Sequence, residues 1–252
     1  MTATPSDWLI PDWPAPVWLQ AISTTRAGGF SQGVFAALNL GDHVGDDAKH
    51  VQANRAYVAE VLNLPPTIAW LSQVHGTAVL DVADWQGDVV QADASFSREP
   101  QQVCVVMTAD CLPVLFCCLK TRQVAAAHAG WRGLCDGVLE QTLATFADPR
   151  SVMAWLGPCI GPTAFEVGAE VRSKFMLQHP EAAAFFSPAD QDEKWLADLA
   201  GLARLRLQRA GLSAIYGGEH CTFSNPQCFF SYRRDGQTGR MASLIWTTAE
   251  PA

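Results

Sequence analysis

No run of this sequence is apolar for long enough to cross a bilayer, because its most apolar stretch, Val103 to Leu119, is interrupted by Asp110 and Pro113. Basic residues are scarce as well. Seventeen Lys and Arg against 25 Asp and Glu leave a net charge of −8, and a chain without a basic face has no footprint for a nucleic-acid backbone. The start, Met1-Thr2-Ala3-Thr4-Pro5-Ser6-Asp7, lacks a basic patch followed by an apolar run, so no secretory signal is expected. These absences predict a cytoplasmic protein with no nucleic acid and no membrane among its partners; a monomer is expected, though nothing in the sequence fixes the oligomeric state.

Several catalytic signatures are missing too. None of the eight cysteines falls into C-x-x-C, which removes zinc ribbons and thioredoxin-like dithiols. No Walker loop, H-E-x-x-H or dinucleotide fingerprint occurs, so nucleoside triphosphates and nicotinamide cofactors have no visible seat. Pro158-Cys159 lacks the second cysteine of the cytidine-deaminase signature. Gly29-Phe30-Ser31-Gln32-Gly33 matches the serine elbow G-x-S-x-G, but glycines rather than a strand precede it and no helix is expected directly after it, so it reads as a turn. A disulfide framework is not expected in a reducing compartment, and Cys104, Cys117 and Cys118 sit in apolar runs that read as core.

What is present is an ordered globular composition, 49% apolar and 17% charged. There is no linker tract or repeat period, so residues 1–252 are expected to form a single domain, with disorder confined to Met1–Asp7 and Thr247–Ala252. Periodicity and β-branched content predict strands at Trp18–Thr25, Ile68–Gln73, Ala78–Val82, Val103–Thr108, Pro113–Cys118, Val124–His128 and Val152–Leu156. Helices are predicted from Asp46-Asp47 to Leu62, from Leu134 to Phe146, from near Val167, and over Lys194–Gln208, where Leu196, Leu199, Leu202, Leu205 and Leu207 make an apolar stripe closed by Gly211. Mixed rather than alternating elements favour an α/β layered sandwich with mixed sheets.

Three segments carry the chemistry: Gln73-Val74-His75-Gly76, Thr108-Ala109-Asp110-Cys111-Leu112-Pro113 and Ala127-His128-Ala129-Gly130-Trp131-Arg132-Gly133. Each places a borderline or soft metal ligand at the end of an apolar strand. Two imidazoles and a thiolate suit zinc, and three protein ligands leave a fourth position for water or substrate. Spacing alone leaves open that all three are ordinary structural residues. Asp110 is expected to orient a ligand, and Arg132 with the Gly130 and Gly133 backbone to receive an anionic oxygen. Arg26, in a glycine-rich turn, is read either as a turn residue or as an anion contact. His43, His50, His179 and His220 read as ordinary.

Taken together, Trp70-Leu71-Ser72-Gln73-Val74-His75-Gly76, Ala92-Asp93-Ala94, Met107 to Phe116, Ala126 to Gly133, Gly157 to Pro162 and Phe229 to Asp235 resemble the YfiH family, also called laccase-domain, multicopper polyphenol oxidase-like or peptidoglycan editing factor. The similarity runs from Pro11 to Trp246. It implies a four-layer αββα sandwich, a metal ion held by His75, Cys111 and His128, and phosphorolysis of adenosine, inosine, guanosine and methylthioadenosine, with adenosine deamination at the same site. Zinc is the expected ion and copper the alternative. Phe230 and Arg233 are then expected beside the nucleoside, the first as an aromatic wall, while Arg132 and Arg26 help to organise phosphate. The family names keep two alternatives open: a cytoplasmic amidase that edits muropeptide precursors through Cys111, and a copper-dependent polyphenol oxidase.

Overall fold

Strands that are buried on both faces have no polar alternate residue and read as continuous apolar runs, and two such runs form the centre of the molecule. The computed structural model describes residues 5–65 and 68–249. Strand β1 (Leu19–Ser23) is followed by helix α1 (Ala48–Val61), then by β2 (Val79–Asp81), β3 (Ala94–Ser97), β4 (Cys104–Thr108), β5 (Leu112–Cys118) and β6 (Val124–Ala129). Helices α2 (Trp131–Asp136) and α3 (Val138–Leu143) lead to β7 (Val152–Leu156) and β8 (Glu166–Gly168). The rest comprises α4 (Ala169–Gln178), β9 (Phe186–Pro188), β10 (Lys194–Ala197), α5 (Leu199–Arg209), β11 (Ala214–Gly217), α6 (Tyr232–Asp235) and β12 (Met241–Thr247).

A six-stranded mixed sheet has the order β11-β7-β5-β6-β3-β2, and an antiparallel sheet has the order β1-β12-β4. A small third sheet, β8-β10-β9, completes the set. Successive side chains of a strand point to opposite faces, so β5 and β6 feed two cores at once. Leu112, Val114 and Phe116, with Ala125, Ala127 and Ala129, pack against Leu134, Leu139, Leu202 and Leu207 of the helices. Leu115, Cys117, Val124 and Ala126 point the other way and meet Cys104 and Val106 of β4 and Ile245 of β12. The outer face of that second sheet, with Ile22, Val105, Met107 and Leu244, is covered by Val58 of α1. Helix, sheet, sheet, helix is the expected αββα sandwich, and each buried Leu or Phe in it contributes about 1.5–3 kcal/mol. Among the described residues no helix is long and apolar enough to cross a membrane.

The predicted strands at β1, β2, β4, β5, β6 and β7 stand within a residue or two of their expected ends, and α1 starts as expected, with the Asp47 side chain accepting the Lys49 amide at 2.8 Å. Other expectations are corrected. Lys194–Ala197 is strand rather than helix, because it is paired on both sides by β8 and β9. Asp198 then caps α5 by accepting the Gly201 amide. Val167 belongs to β8, and its helix begins only at Ala169. The helix expected from Leu134 to Phe146 starts three residues earlier and is broken by Gly137, whose φ of +102° admits glycine far better than other residues. Ile68–Gln73 makes a single bridge, Ser72 to Gln91, instead of a strand. Thr247, expected in a disordered end, pairs with Leu19 in β12. The end segments Met1–Thr4 and Glu250–Ala252 lie outside the described residues.

Candidate metal centre and its cavity

The β5–β6 ladder pairs Leu112 with Ala129 and Pro113 with His128, so Cys111 and Gly130 face each other one step beyond its end. By alternation Cys111 and His128 share the side of the sheet that faces the second sheet, at the open end of the space between them. His75 reaches the same point from the segment before β2, on a turn with φ of +60°. One ligand atom from each of His75, Cys111 and His128 lies within 4.8 Å of the other two. Cys111 Sγ is 3.7 Å from His75 Nε2, and the imidazoles meet edge to face with centroids 4.8 Å apart. His128 is buried, Cys111 half-buried and His75 exposed.

Asp93, just before β3, holds this arrangement. Its fully buried carboxylate lies 2.8 Å from His128 Nδ1 and accepts the backbone amides of Val74, His75 and Gly76 at 3.2, 2.9 and 2.7 Å. Burial pushes the Asp93 carboxyl up, but the His128 hydrogen bond and the amides outweigh it and hold the group below the usual carboxylate range. In the neutral ring, with Nδ1 donating to Asp93, Nε2 of His128 offers its lone pair, the usual carboxylate-backed form of a histidine ligand. Asp93 lies in the Ala92-Asp93-Ala94 motif but was given no role from sequence. A carboxylate followed by strand residues carries no local sign of the three amides that will meet it.

The glycines of Gly130-Trp131-Arg132-Gly133 answer to close packing. A Cβ on Gly130 would stand 2.7 Å from His75 Cδ2 and 3.0 Å from Cys111 Sγ, and one on Gly133 would stand 2.7 Å from the Gly76 carbonyl oxygen. The first turn of α2 therefore presses directly on the His75 turn.

Burial pushes the Cys111 thiol up, yet the adjacent His128 charge and hydrogen bonds to both histidines bring it down to about 6. Burial works on His128 in the opposite sense, and Cys111 and Asp93 raise it to about 9. Without an ion the pair is a thiolate beside an imidazolium. Two imidazoles and an easily ionised thiol, one face open, are a donor set that suits a transition-metal ion.

The open face leads into a cavity of about 450 Å³, within the range of about 300–1,000 Å³ typical of small-molecule sites. Its wall includes Gln73, Met107, Phe165, Tyr232, Arg233 and Arg240. Gln73 extends the edge of β4 with its side chain, donating to the Met107 carbonyl at 2.8 Å and accepting the Met107 amide at 2.7 Å. His43, expected to be ordinary, also lines the cavity. Arg240 and Tyr232 flank segments whose approach to the site no local pattern announces.

Of the predicted residues, the structure brings Asp110 and Arg233 to the cavity beside the three candidate ligands. Asp110, however, does not support a ligand. Its carboxylate accepts the Thr222 hydroxyl at 2.6 Å and the Arg233 amide at 2.7 Å, while its carbonyl accepts the Ile160 amide. Arg132 is exposed on α2, stacked on Trp131, and is not part of the cavity wall. The Arg26 guanidinium donates to the carbonyls of Ala36 and Pro226 and lies over Phe230, so its turn reading is the one the contacts favour. Phe230 is wholly buried with Phe229 and Met241 and cannot serve as a wall of the cavity. Ser31 of the elbow-like motif is buried and donates to Asp46 at 2.6 Å, which leaves it no role as a nucleophile.

The family model described as multi-copper polyphenol oxidoreductase laccase matches residues 20–248. The protein of Escherichia coli named purine nucleoside phosphorylase YfiH is 52% identical over 242 residues, covering 96% of this chain and 99% of that protein. A purine nucleoside phosphorylase of Haemophilus influenzae is 50% identical over 94% of this chain and 97% of its own. The crystal structure of a Neisseria meningitidis protein superposes with a TM-score of 0.93 at 50% identity, over 97% of this chain and 100% of that one. YlmD from Geobacillus stearothermophilus superposes with a TM-score of 0.89 at 33% identity over 98% of each chain. Matching from strand β1 to strand β12, in sequence and in backbone, the chain belongs to the YfiH family of laccase-domain proteins.

Proposed function

We propose that the chain is a metal-dependent purine nucleoside phosphorylase acting on adenosine, inosine, guanosine and methylthioadenosine, with adenosine deamination at the same zinc site. The observation that carries the reading is the convergence of His75, Cys111 and His128 within 4.8 Å at the end of a cavity that also holds Tyr232, Arg233 and Arg240. The names of the Escherichia coli and Haemophilus influenzae relatives support it. His75, Cys111 and His128 would hold the ion, and zinc there would supply the Lewis acidity that deamination requires. Copper is the alternative ion. A multicopper oxidase finds less support, because among the described residues His75, Cys111 and His128 are the one group of such ligands.

In phosphorolysis a phosphate oxygen forms a bond to C1′ of the ribose as the bond from C1′ to the purine breaks, and the electron pair and then a proton end on the base. Charge thus moves from phosphate to purine. The chain's part is to hold both reactants in line and to match that charge with fixed donors. Met107, Ile160 and Phe165 give the cavity an apolar wall, and Tyr232 offers a ring for a flat base. The test is release of free base and ribose 1-phosphate from inosine and adenosine with orthophosphate, together with metal content after purification without added metal. His75→Ala and Cys111→Ala are expected to lose both metal and turnover, and variants that keep both would sink the assignment.

One observation favours a second reading. Asp93, His128 and Cys111 are ordered as the carboxylate, imidazole and thiol of a cysteine hydrolase, with Cys111 already depressed to about 6. Amide cleavage in a muropeptide precursor is the corresponding reaction. A covalent adduct on Cys111, trapped in metal-free protein with an amide substrate, would select it over the phosphorylase.

A further inference from the structure

Several cations of this acidic chain are paired with nearby carboxylates. Arg55, Arg98, Arg150, Arg206, Arg209 and Arg234 each have one within 4.0 Å. Arg233 and Arg240 are the two arginines that line the cavity, and among the described residues neither forms an ion pair with a carboxylate. Arg233 Nη1 donates to the Glu166 carbonyl at 2.9 Å, and Arg240 Nη1 donates to the carbonyls of Thr238 and Gly239 at 3.0 Å. These bonds anchor one end of each guanidinium, and among the described residues Nε and Nη2 have no acceptor.

The main chain at both residues is fixed from elsewhere. The Arg233 amide donates to Asp110 at 2.7 Å, and the Arg240 amide donates to Asn39 Oδ1 at 2.8 Å. Asn39 is fully buried, and the Arg240 stem packs so closely on Gly41 that a Cβ there would come within 2.7 Å of Arg240 Cγ. Asp110 is the one carboxylate in the cavity wall, and its oxygens are already engaged with Thr222 and Arg233. Two anchored guanidinium forks facing a shared cavity, neither in an ion pair with a carboxylate, suit a tetrahedral oxyanion with several acceptor oxygens.

We propose that Arg233 and Arg240 form a phosphate subsite in the cavity that also holds His75, Cys111 and His128, and that Arg132 and Arg26 have no part in it. The phosphorylase reading bears only on the identity of the anion. The occupant is either free orthophosphate as the second substrate or a phosphoryl group carried by the nucleoside.

The test is calorimetric titration of orthophosphate into the metal-loaded protein and its Arg233→Gln, Arg240→Gln and Arg132→Gln variants. Inhibition by inosine 5′-monophosphate relative to inosine is measured alongside, with metal content and thermal unfolding as folding controls. Loss of one charge-assisted contact is expected to weaken binding by about tenfold or more, with Arg132→Gln like the parent. Weakened orthophosphate binding in Arg233→Gln and Arg240→Gln supports the subsite with the free anion as occupant. Orthophosphate binding unchanged, but the preference for inosine 5′-monophosphate lost, supports it with the substrate's phosphoryl group as occupant. Phenylglyoxal mapping of the unaltered protein covers the case in which a variant fails to fold, since phosphate should protect Arg233 and Arg240 and not Arg132. Orthophosphate affinity and inosine 5′-monophosphate preference both unchanged in folded variants, Arg233 and Arg240 left unprotected by orthophosphate and by inosine 5′-monophosphate alike, or an equal loss in Arg132→Gln would overturn the proposal. Phosphate bound through these arginines without nucleoside turnover would leave the subsite standing and remove the phosphorylase.

Discussion

The Asp93 carboxylate lies 2.8 Å from Nδ1 of His128 while it accepts the amides of the turn that presents His75. One buried anion thereby orients one candidate ligand through its ring and carries another through its backbone. Asp93→Asn keeps the size of the side chain and removes the charge. Metal affinity is expected to fall by about 10- to 100-fold, measured by competition with a chromophoric chelator. Asp93→Ala also strands three amides and should cost a further 1–3 kcal/mol or about that in urea unfolding. Parental metal affinity in Asp93→Asn would show that the carboxylate does not tune the site.

Gly130 has an ordinary φ of −65°, so alanine there meets no backbone penalty. Its methyl would, however, stand 2.7 Å from His75 and 3.0 Å from Cys111. Gly130→Ala is therefore expected to lower turnover and metal content by roughly tenfold or more, the scale of a misplaced reacting geometry, with a far smaller effect on thermal unfolding. Normal metal content would show that the ligands can move aside.

The thiol of Cys111, at about 6, should be reactive well below the range of an ordinary cysteine. In metal-free protein its alkylation by iodoacetamide is expected to fall away only as pH drops through about 6, followed by mass spectrometry of the Cys111 peptide. Cys104, pushed up to about 12 by burial, should stay unmodified over the same range. Equal rates for the two would contradict the depressed thiol.

The same pair has a signed consequence for stability. Cys111 is depressed on folding, so its contribution grows as pH rises from about 6 toward the unfolded value and is lost as pH falls through about 6. His128 is raised, so its contribution is full below the unfolded value and is lost as pH rises through about 9. From roughly pH 6.5 to 8.5 the folded pair holds one proton on His128 and the unfolded pair holds one on the thiol. The slopes cancel. Urea midpoints of metal-free protein should show no slope from this pair in that window, which is checked by comparison with Cys111→Ala, where the His128 partner is gone.

Asp110 occupies φ of +93°, a region that favours glycine, and ties Thr222 and Arg233 to the turn before β5. Asp110→Gly relieves the backbone and loses the ties, whereas Asp110→Ala loses the ties and keeps the strain. Both should be destabilised, with alanine the worse by about 1 kcal/mol in urea unfolding. The reverse order would mean that the backbone at this position is not strained.

The strands that are buried on both faces are legible in the sequence, since β4, β5, β6 and β7 are written as apolar runs, and the motifs mark His75, Cys111 and His128 as candidate ligands. The four layers followed from the same motifs. Elements whose state depends on a distant partner were not legible. Lys194–Ala197 has the spacing of a helix and becomes a strand because β8 and β9 flank it. β12 becomes a strand between β1 and β4, whose residues lie more than a hundred positions before it. The surroundings of the ligands were decided in the same way. Asp93 matters because His128 and three amides meet it in space, and Arg240 reaches the cavity because Asn39 holds its amide. Arg132 and Phe230 were misplaced because nearness to a ligand, or to a motif, along the chain says nothing about which way a side chain points. Local patterns record what a residue does to its own segment, whereas hydrogen bonding and charge pairing across the sheets are properties of the packed whole.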